Sequence, residues 1–349
     1  MDMDLSMYPS NARTGLAVLV GCLGVFGTAI NVTVLWVLYR RKDVRTSATV
    51  YVVNLTAVDL LVTTVVDTLH ILGIAWPEFY RLDPTATVCN IAGSLCVAGC
   101  VISLATTAVI SVNRYLFICK RQTHDDIFTK KGAVVIVVGM WVYGLGFVLP
   151  LWFGWGNFRY DPKTMNCAYD RTETSYTLVF LLVGHILPTL TVFIFNAALY
   201  LNAMKIKNKL RRLQDRTPPQ AKEARKALRS LSVLCIYFVV CWLQYAVIVL
   251  ADQDDTWSGG VHFSSLVIAH SSSSINGVIY ALTDKKVREE IGKTFRRIKE
   301  SGGPMAFVGT KWTRTRQVYV IEMASFNRDA SVSSVPSLKR VLTNVETQI

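Results

Sequence analysis

Apolar residues fall in seven long runs along the chain, at roughly 14–39, 49–74, 86–119, 131–154, 175–204, 226–250 and 260–283. A helix needs about 20 mostly apolar residues to cross the hydrocarbon of a bilayer. Each run is predicted to be such a helix, and the short polar segments between them predict one bundle. Burial in a soluble core is the alternative, and seven separate runs of this length argue against it. The predicted architecture is all-α. An outer N-terminal segment 1–13 leads into a seven-helix domain 14–283, an amphipathic helix 284–298 and a disordered tail 299–349. In 284–298, Val287, Ile291, Phe295 and Ile298 recur at three- to four-residue spacing, the pattern of a helix along a membrane surface or packed under the bundle. The tail is polar and Ser/Thr-rich, too poor in apolar surface to fold alone.

Composition agrees. Of 349 residues 52% are hydrophobic, and the formal charge is +13. A basic balance is common in nucleic-acid binders, but here the charge alternates by loop. Loops 40–46, 120–131 and 205–229 are rich in Lys and Arg, whereas 75–88, 155–174 and 251–260 are mixed or acidic. Basic loops stay cytoplasmic, so the N-terminus faces out, the tail faces in, and nucleic acid is not the partner. Two of the eight cysteines, Cys89 and Cys167, fall at the oxidising outer face. They can bond to one another there, tying the second outer loop to the top of the third span.

A few polar positions inside the spans stand out. Asp59 lies within the second span, where a carboxylate is costly and must face the bundle interior. Its expected partners are Asn31 and polar residues of the third and seventh spans; a hydrogen-bond node without an ion is the plain reading. Arg114, in Asn113-Arg114-Tyr115, ends the third run. Pro188 in the fifth span removes an N–H and loosens the local ladder.

In this order the residues resemble the rhodopsin-like (class A) G-protein-coupled receptors over about residues 14–298. The resemblance rests on Asn31, Leu55…Asp59, Cys89, Asn113-Arg114-Tyr115, Trp141, Pro188, Cys241-Trp242 and Asn276…Tyr280. Asn-Arg-Tyr, Tyr115-Leu-Phe-Ile-Cys119 and Tyr160-Asp161-Pro162-Lys163…Cys167 are similar to the melatonin receptors, as are Ser175-Tyr176-Thr177 and His185 ahead of Pro188. Departures are also present. Leu151 and Arg171 replace an asparagine and a glutamine of that subfamily, while Tyr169 keeps its aromatic ring. Gln244 stands where the sixth-span proline would be, Asn196 replaces a tyrosine and Val287 a phenylalanine, whereas Gly277 in place of the class's usual proline fits the subfamily loosely, because melatonin receptors carry a small alanine there. With two polar anchors changed, the expectation is a melatonin-receptor-like protein with a different ligand.

The resemblance implies a receptor at the plasma membrane that activates a heterotrimeric G protein of the Gi/o class, with arrestin as a further partner. Asn113, Arg114 and Tyr115 are then the coupling tripeptide, and Trp242, Asn276 and Tyr280 switch residues. Asn31, Asp59, Ser103, Ser273 and Asn276 fall where the family binds a sodium ion, and oxygen donors suit a hard cation. Asn113 is neutral where the family commonly holds Arg114 with an acid, and the second acidic restraint falls at Ala224, beside Glu223. Appreciable basal activity follows, unless hydrogen bonds from Asn113 hold the off state.

For the ligand, no acid lies between Cys89 and Val112, and Cys96 takes the amine-binding position, which argues against a monoamine. His270 takes the retinal-linking position, which excludes an opsin-type Schiff base. The pocket candidates are Asp67, Cys96, Cys100, Tyr169, Phe180, His185, Trp242, Gln244 and His270. A mostly apolar pocket with few polar anchors suits a small ligand, although each histidine reads equally as a satisfied bundle residue. The short outer segment favours a small molecule, lipid or short peptide. Ser331, Ser333, Ser334 and Ser337 are candidate phosphate acceptors. Thr347-Gln348-Ile349 suits capture by a PDZ domain. A transporter or channel would show paired halves and broken helices, and an intramembrane enzyme a metal or nucleophile motif; neither pattern is evident, and no cofactor beyond sodium is implied.

Overall fold

The computed structural model describes residues 8–40, 47–81, 85–213, 236–283 and 285–300. The first span is α1 (Ser10–Arg40). The second runs through α2 (Ser47–Leu61), a π-helical turn (Val62–Val66) and α3 (Asp67–Ala75). After α4 (Glu78–Arg81), α5 (Thr87–Cys119) is the third span. Then α6 (Arg121–Ile127) leads to α7 (Lys130–Trp152), the fourth. The fifth joins α8 (Thr174–Val179), a second π-helical turn (Phe180–Ile186) and α9 (Leu187–Leu213). The sixth is described as α10 (Ile236–Ala251), the seventh is α11 (Gly259–Thr283), and α12 (Lys285–Glu300) follows.

Five of these helices are long and apolar enough to cross a membrane. The sixth span, expected over 226–250, is described only from Ile236. The seventh is more polar than the others, because Ser271, Ser272, Ser273 and Ser274 stand in a row, all buried. Among the side chains left outside the bundle are Val25, Val135 and Val142, each more than 60% exposed. Lipid is the solvent such surfaces fit. In α12, Val287 is fully buried with Val34, Val37 and Val52, so the amphipathic helix packs under the bundle. Residues 214–235, with Glu223 and Ala224, and the tail 301–349, with its serines and last three residues, lie outside the described residues.

Both π-helical turns have local causes. Pro188 has no N–H to give the Gly184 carbonyl, and the Leu187 N–H reaches back five residues to the Leu182 carbonyl. In the second span, Thr63 and Thr64 donate their hydroxyls to the Asp59 and Leu60 carbonyls, a back-bonding that bends helices. Just beyond them the Asp67 N–H reaches the Val62 carbonyl.

One feature departs from the all-α expectation. β1 (Phe158–Asp161) and β2 (Asn166–Tyr169) form an antiparallel hairpin, with Phe158 opposite Tyr169 and Tyr160 opposite Cys167. The Cys89–Cys167 disulfide ties it to the start of α5. It lies directly on α3, where a Cβ at Gly73 would strike the Met165 carbonyl. The Tyr160 hydroxyl donates to the Gly73 carbonyl (2.8 Å).

Replacing Cys89 and Cys167 together by serine is expected to cost about 2–4 kcal/mol, because a long loop is released in the unfolded chain. The check is the thermal unfolding midpoint of the solubilised protein. An unchanged midpoint would mean that packing alone holds the hairpin.

Candidate functional site

The outer end is closed by an ionic cap. Arg171, just past β2, donates its Nε to Asp161 Oδ2 (2.8 Å), and its Nη2 lies 2.9 Å from Asp255. Lys163 Nζ reaches the same Asp255 carboxylate at 2.9 Å. Arg171 Nη1 sits 3.1 Å from the His262 ring, and His262 Nε2 is 2.6 Å from Asp252 Oδ2. Backbone N–H groups of Thr256 and Trp257 also donate to Asp252. Burial pushes the Asp161 carboxyl up, but the Arg171 guanidinium outweighs it and holds the group below its ordinary value. For Asp252, desolvation is likewise outweighed by the His262 and backbone hydrogen bonds, which bring it down to about 2. Arg171, which replaces a glutamine of the melatonin receptors, is thus engaged in the cap.

Below the cap, Asp67 and His70 of α3 meet Cys96 and Cys100 of α5 and His270 of α11. All five are buried. His70 Nε2 lies 2.9 Å from the Thr164 carbonyl of the hairpin loop. His270 Nε2 lies 3.7 Å from Cys96 Sγ and 3.9 Å from Cys100 Sγ, and its Nδ1 faces Asp67 Oδ1 at 3.5 Å. A small cavity of about 10 Å³ beside Asp67, His70 and His270 is also lined by Val20 and Leu23 of α1.

A second group is aromatic. Tyr169 and Phe180 have ring centroids 4.4 Å apart, Phe180 and His185 4.4 Å, and His185 and Trp242 5.1 Å. The π-helical turn carries Phe180 and His185 into this line. Tyr245, which the sequence reading missed, joins it: its hydroxyl is 3.1 Å from that of Tyr169. The candidates therefore divide between a polar cluster and an aromatic line. Gln244 belongs to neither, since its amide donates to the Cys241 and Ser265 carbonyls and ties the sixth span to the seventh.

Deeper in the bundle, Asp59 is completely buried. Ser103 donates to its Oδ1 (2.8 Å) and Asn276 to its Oδ2 (2.9 Å). Asn31 donates to the Ser273 carbonyl (3.1 Å), and its own Oδ1 is buried with no hydrogen bond. Gly277 permits this approach, because a Cβ there would stand 2.8 Å from Asn31 Oδ1. Of the other four sodium-site candidates, Ser103 and Asn276 thus bond the Asp59 carboxylate, and Asn31 is tied to Ser273. Trp242 Nε1 donates to Ser272 (3.1 Å), one residue before Ser273.

At the inner end, Asn113 Nδ2 lies 3.2 Å from His124 Nε2. The other ring nitrogen is 2.9 Å from Asp125, and the ring stacks on Phe128. His124 sits on α6, in a segment expected to be loop, and nothing in its spacing marked it. Arg114 is half-buried, Tyr115 packs edge-on against Phe195, and Tyr280 is half-buried near the end of α11. Asn196 donates to Ser111 (2.9 Å), joining the fifth span to the third.

The profile of the 7 transmembrane receptor (rhodopsin family) matches residues 30–280. The chain is 26% identical over 290 residues to melatonin receptor type 1C of Gallus gallus, covering 80% of this chain and 82% of that protein. It is 25% identical over 309 residues to melanopsin-A of Danio rerio, covering 82% of this chain but only 50% of the melanopsin. Among solved structures, squid rhodopsin superposes with a TM-score of 0.68 at 20% identity, covering 88% of this chain and 89% of that one. That likeness concerns the fold.

The cap carries its own prediction. Removing one partner of a buried ion pair costs about 3–5 kcal/mol, so Arg171→Met is expected to lower the unfolding midpoint sharply. Asp161 and Asp252 have depressed pKa values, so their contribution is present above the ordinary carboxylate pKa of about 3.9. It is lost as pH falls from there through the folded-state values, near 2 for Asp252. Midpoints measured from pH 7 to pH 2 should fall below pH 4, less steeply in Asp252→Asn; a flat profile would remove the cap's role.

Proposed function

This chain belongs to the seven-transmembrane receptors of the rhodopsin family, and from that premise we propose that it is a plasma-membrane receptor activating a heterotrimeric G protein of the Gi/o class. Its N-terminus faces out and its basic loops face the transducer. It is a receptor rather than an enzyme. The observation that carries the reading is the Asp59 node. A lone carboxylate in the middle of a bundle is costly, and here its bonds reach both the third and the seventh spans. Any ligand that shifts α5 against α11 must rearrange them, and the Asn113-Arg114-Tyr115 end of α5 moves with the change.

Similarity to melatonin receptors favours a small ligand and Gi/o coupling. The ligand of this chain sits between the polar cluster of Asp67, Cys96, Cys100 and His270 and the aromatic line from Tyr169 to Trp242. It is small and mostly apolar, and it carries a hydrogen-bonding group. Histidine at position 270 cannot form a Schiff base with retinal, so the likeness to melanopsin does not extend to that linkage. Arrestin and a PDZ domain are the partners that the tail sequence suits.

A G-protein activation panel with Arg114→Ala as control tests the reading. Activation is expected in wild type and absent in the variant at equal surface expression; no G protein engaged under any condition would overturn it. Asn113 is neutral and spends its amide on His124, so ligand-independent activity is expected, and Asn113→Asp should lower it several-fold. Basal output equal to that of mock-transfected cells would contradict this. The oxygens around Asp59, with the unbonded Asn31 Oδ1 among them, suit a sodium ion. Sodium is expected to stabilise the wild-type protein against heat and to leave Asp59→Asn unchanged; an equal response in both would refute the site.

A further inference from the structure

We propose that Cys96, Cys100 and His270 form a site for a thiophilic divalent cation, zinc foremost, linking the third span to the seventh. Cys96 and Cys100 are four residues apart, so both sulfurs lie on one face of α5. His270 comes from α11, and all three side chains are buried. Their ligand atoms lie within 4.8 Å of one another. The two sulfur–nitrogen distances are 3.7 and 3.9 Å. Bond lengths of about 2.3 Å to sulfur and 2.0 Å to nitrogen give tetrahedral edges of roughly 3.5–3.8 Å. Both sulfur–nitrogen separations therefore stand close to those that a bound zinc ion requires.

The surroundings point the same way. One imidazole nitrogen faces two sulfurs and can share a single proton with only one of them, whereas a cation satisfies all three. Thiolate with imidazole is the donor set that selects zinc over calcium, magnesium or sodium. His270 Nδ1, which makes no hydrogen bond, faces Asp67 Oδ1 at 3.5 Å. A carboxylate behind a ligating histidine is the usual support of a zinc site. Asn166 Nδ2, 3.9 Å from Cys96 Sγ, is placed to donate to the thiolate. Three protein donors leave a fourth position for water or an added ligand. On binding, the two thiols release their protons to solvent and both sulfurs bond to the metal; nothing is oxidised or reduced.

Metal capture stands apart from G-protein coupling and is read on the purified full-length protein without a transducer. Zinc is titrated against a chromophoric chelator, cobalt(II) replaces it for absorption spectroscopy, and X-ray absorption at the zinc edge reports the donors. One equivalent of cobalt is expected, with thiolate-to-cobalt charge transfer that disappears in Cys96→Ser/Cys100→Ser. Asp67→Asn is expected to weaken zinc about 10- to 100-fold with unchanged stoichiometry. Should the double variant misfold, the zinc-edge spectrum of wild type decides alone, with two sulfurs and one imidazole expected. A shell of nitrogen and oxygen only would place the ion at the outer Asp252, Asp255 and His262 group and overturn the proposal. So would charge transfer that persists in a folded double variant, or zinc affinity no tighter than that of Asp67→Asn.

Discussion

Hydrocarbon offers no hydrogen bonds, and where each polar side chain of this protein lies follows from that. Backbone groups are satisfied inside helices, so the side chains decide how the helices turn about their axes. Asp59 cannot face lipid, and its two oxygens fix α2 against α5 and α11 at once. The same demand turns the serine row of α11 inward, where Ser271 meets the Tyr237 hydroxyl, Ser272 the Trp242 indole and Ser274 the Leu23 carbonyl of α1. Sixth and first spans are thereby keyed to the seventh by polar bonds, while aliphatic side chains fill the space between.

These bonds fall in levels. The ionic cap joins the hairpin to the loop after α10. The histidine–cysteine cluster joins α3, α5 and α11. The Asp59 node joins the first, second, third and seventh spans. At the inner end, Asn113 and His124 join α5 to α6. Because α5 and α11 take part in more than one level, a displacement at one is felt at the next. Trp242 sits where the aromatic line and the serine row meet, in contact with His185 on one side and Ser272 on the other.

Much of this was legible in the sequence, for physical reasons. The spans show because a bilayer demands long apolar runs, and the family register shows because a few polar residues interrupt them at fixed intervals. Cys89 and Cys167 were marked by falling together at the face expected to be outside. The hairpin was not legible, because Phe-Arg-Tyr-Asp alternates over only four residues, the shortest run that a period of two can mark, and the partner strand Asn-Cys-Ala-Tyr does not alternate. His124 was hidden in a charged loop that folds into α6. Arg171 stands out in the sequence only as the replacement of a subfamily glutamine, and only the fold shows Asp161, Asp255 and His262 converging on it. The position of Gln244 suggests a pocket residue, but its amide is taken up by the Cys241 and Ser265 carbonyls. Runs that are apolar all round do not reveal which face turns inward, so the division of the pocket candidates into two groups had to come from packing.

The π-helical turn before Leu187 carries one further consequence. An α-helix advances 100° per residue, and a wide turn accommodates one residue more than the regular ladder would. Side chains on its two sides are out of phase by about that angle. His185 lies within the wide turn, and its ring points into the bundle against Phe180 and Trp242. Counting positions along the fifth span by sequence alone therefore misassigns inward and outward faces on one side of the turn. Alignments of this chain with its relatives gain meaning there only when the helical phase, rather than the residue number, is matched.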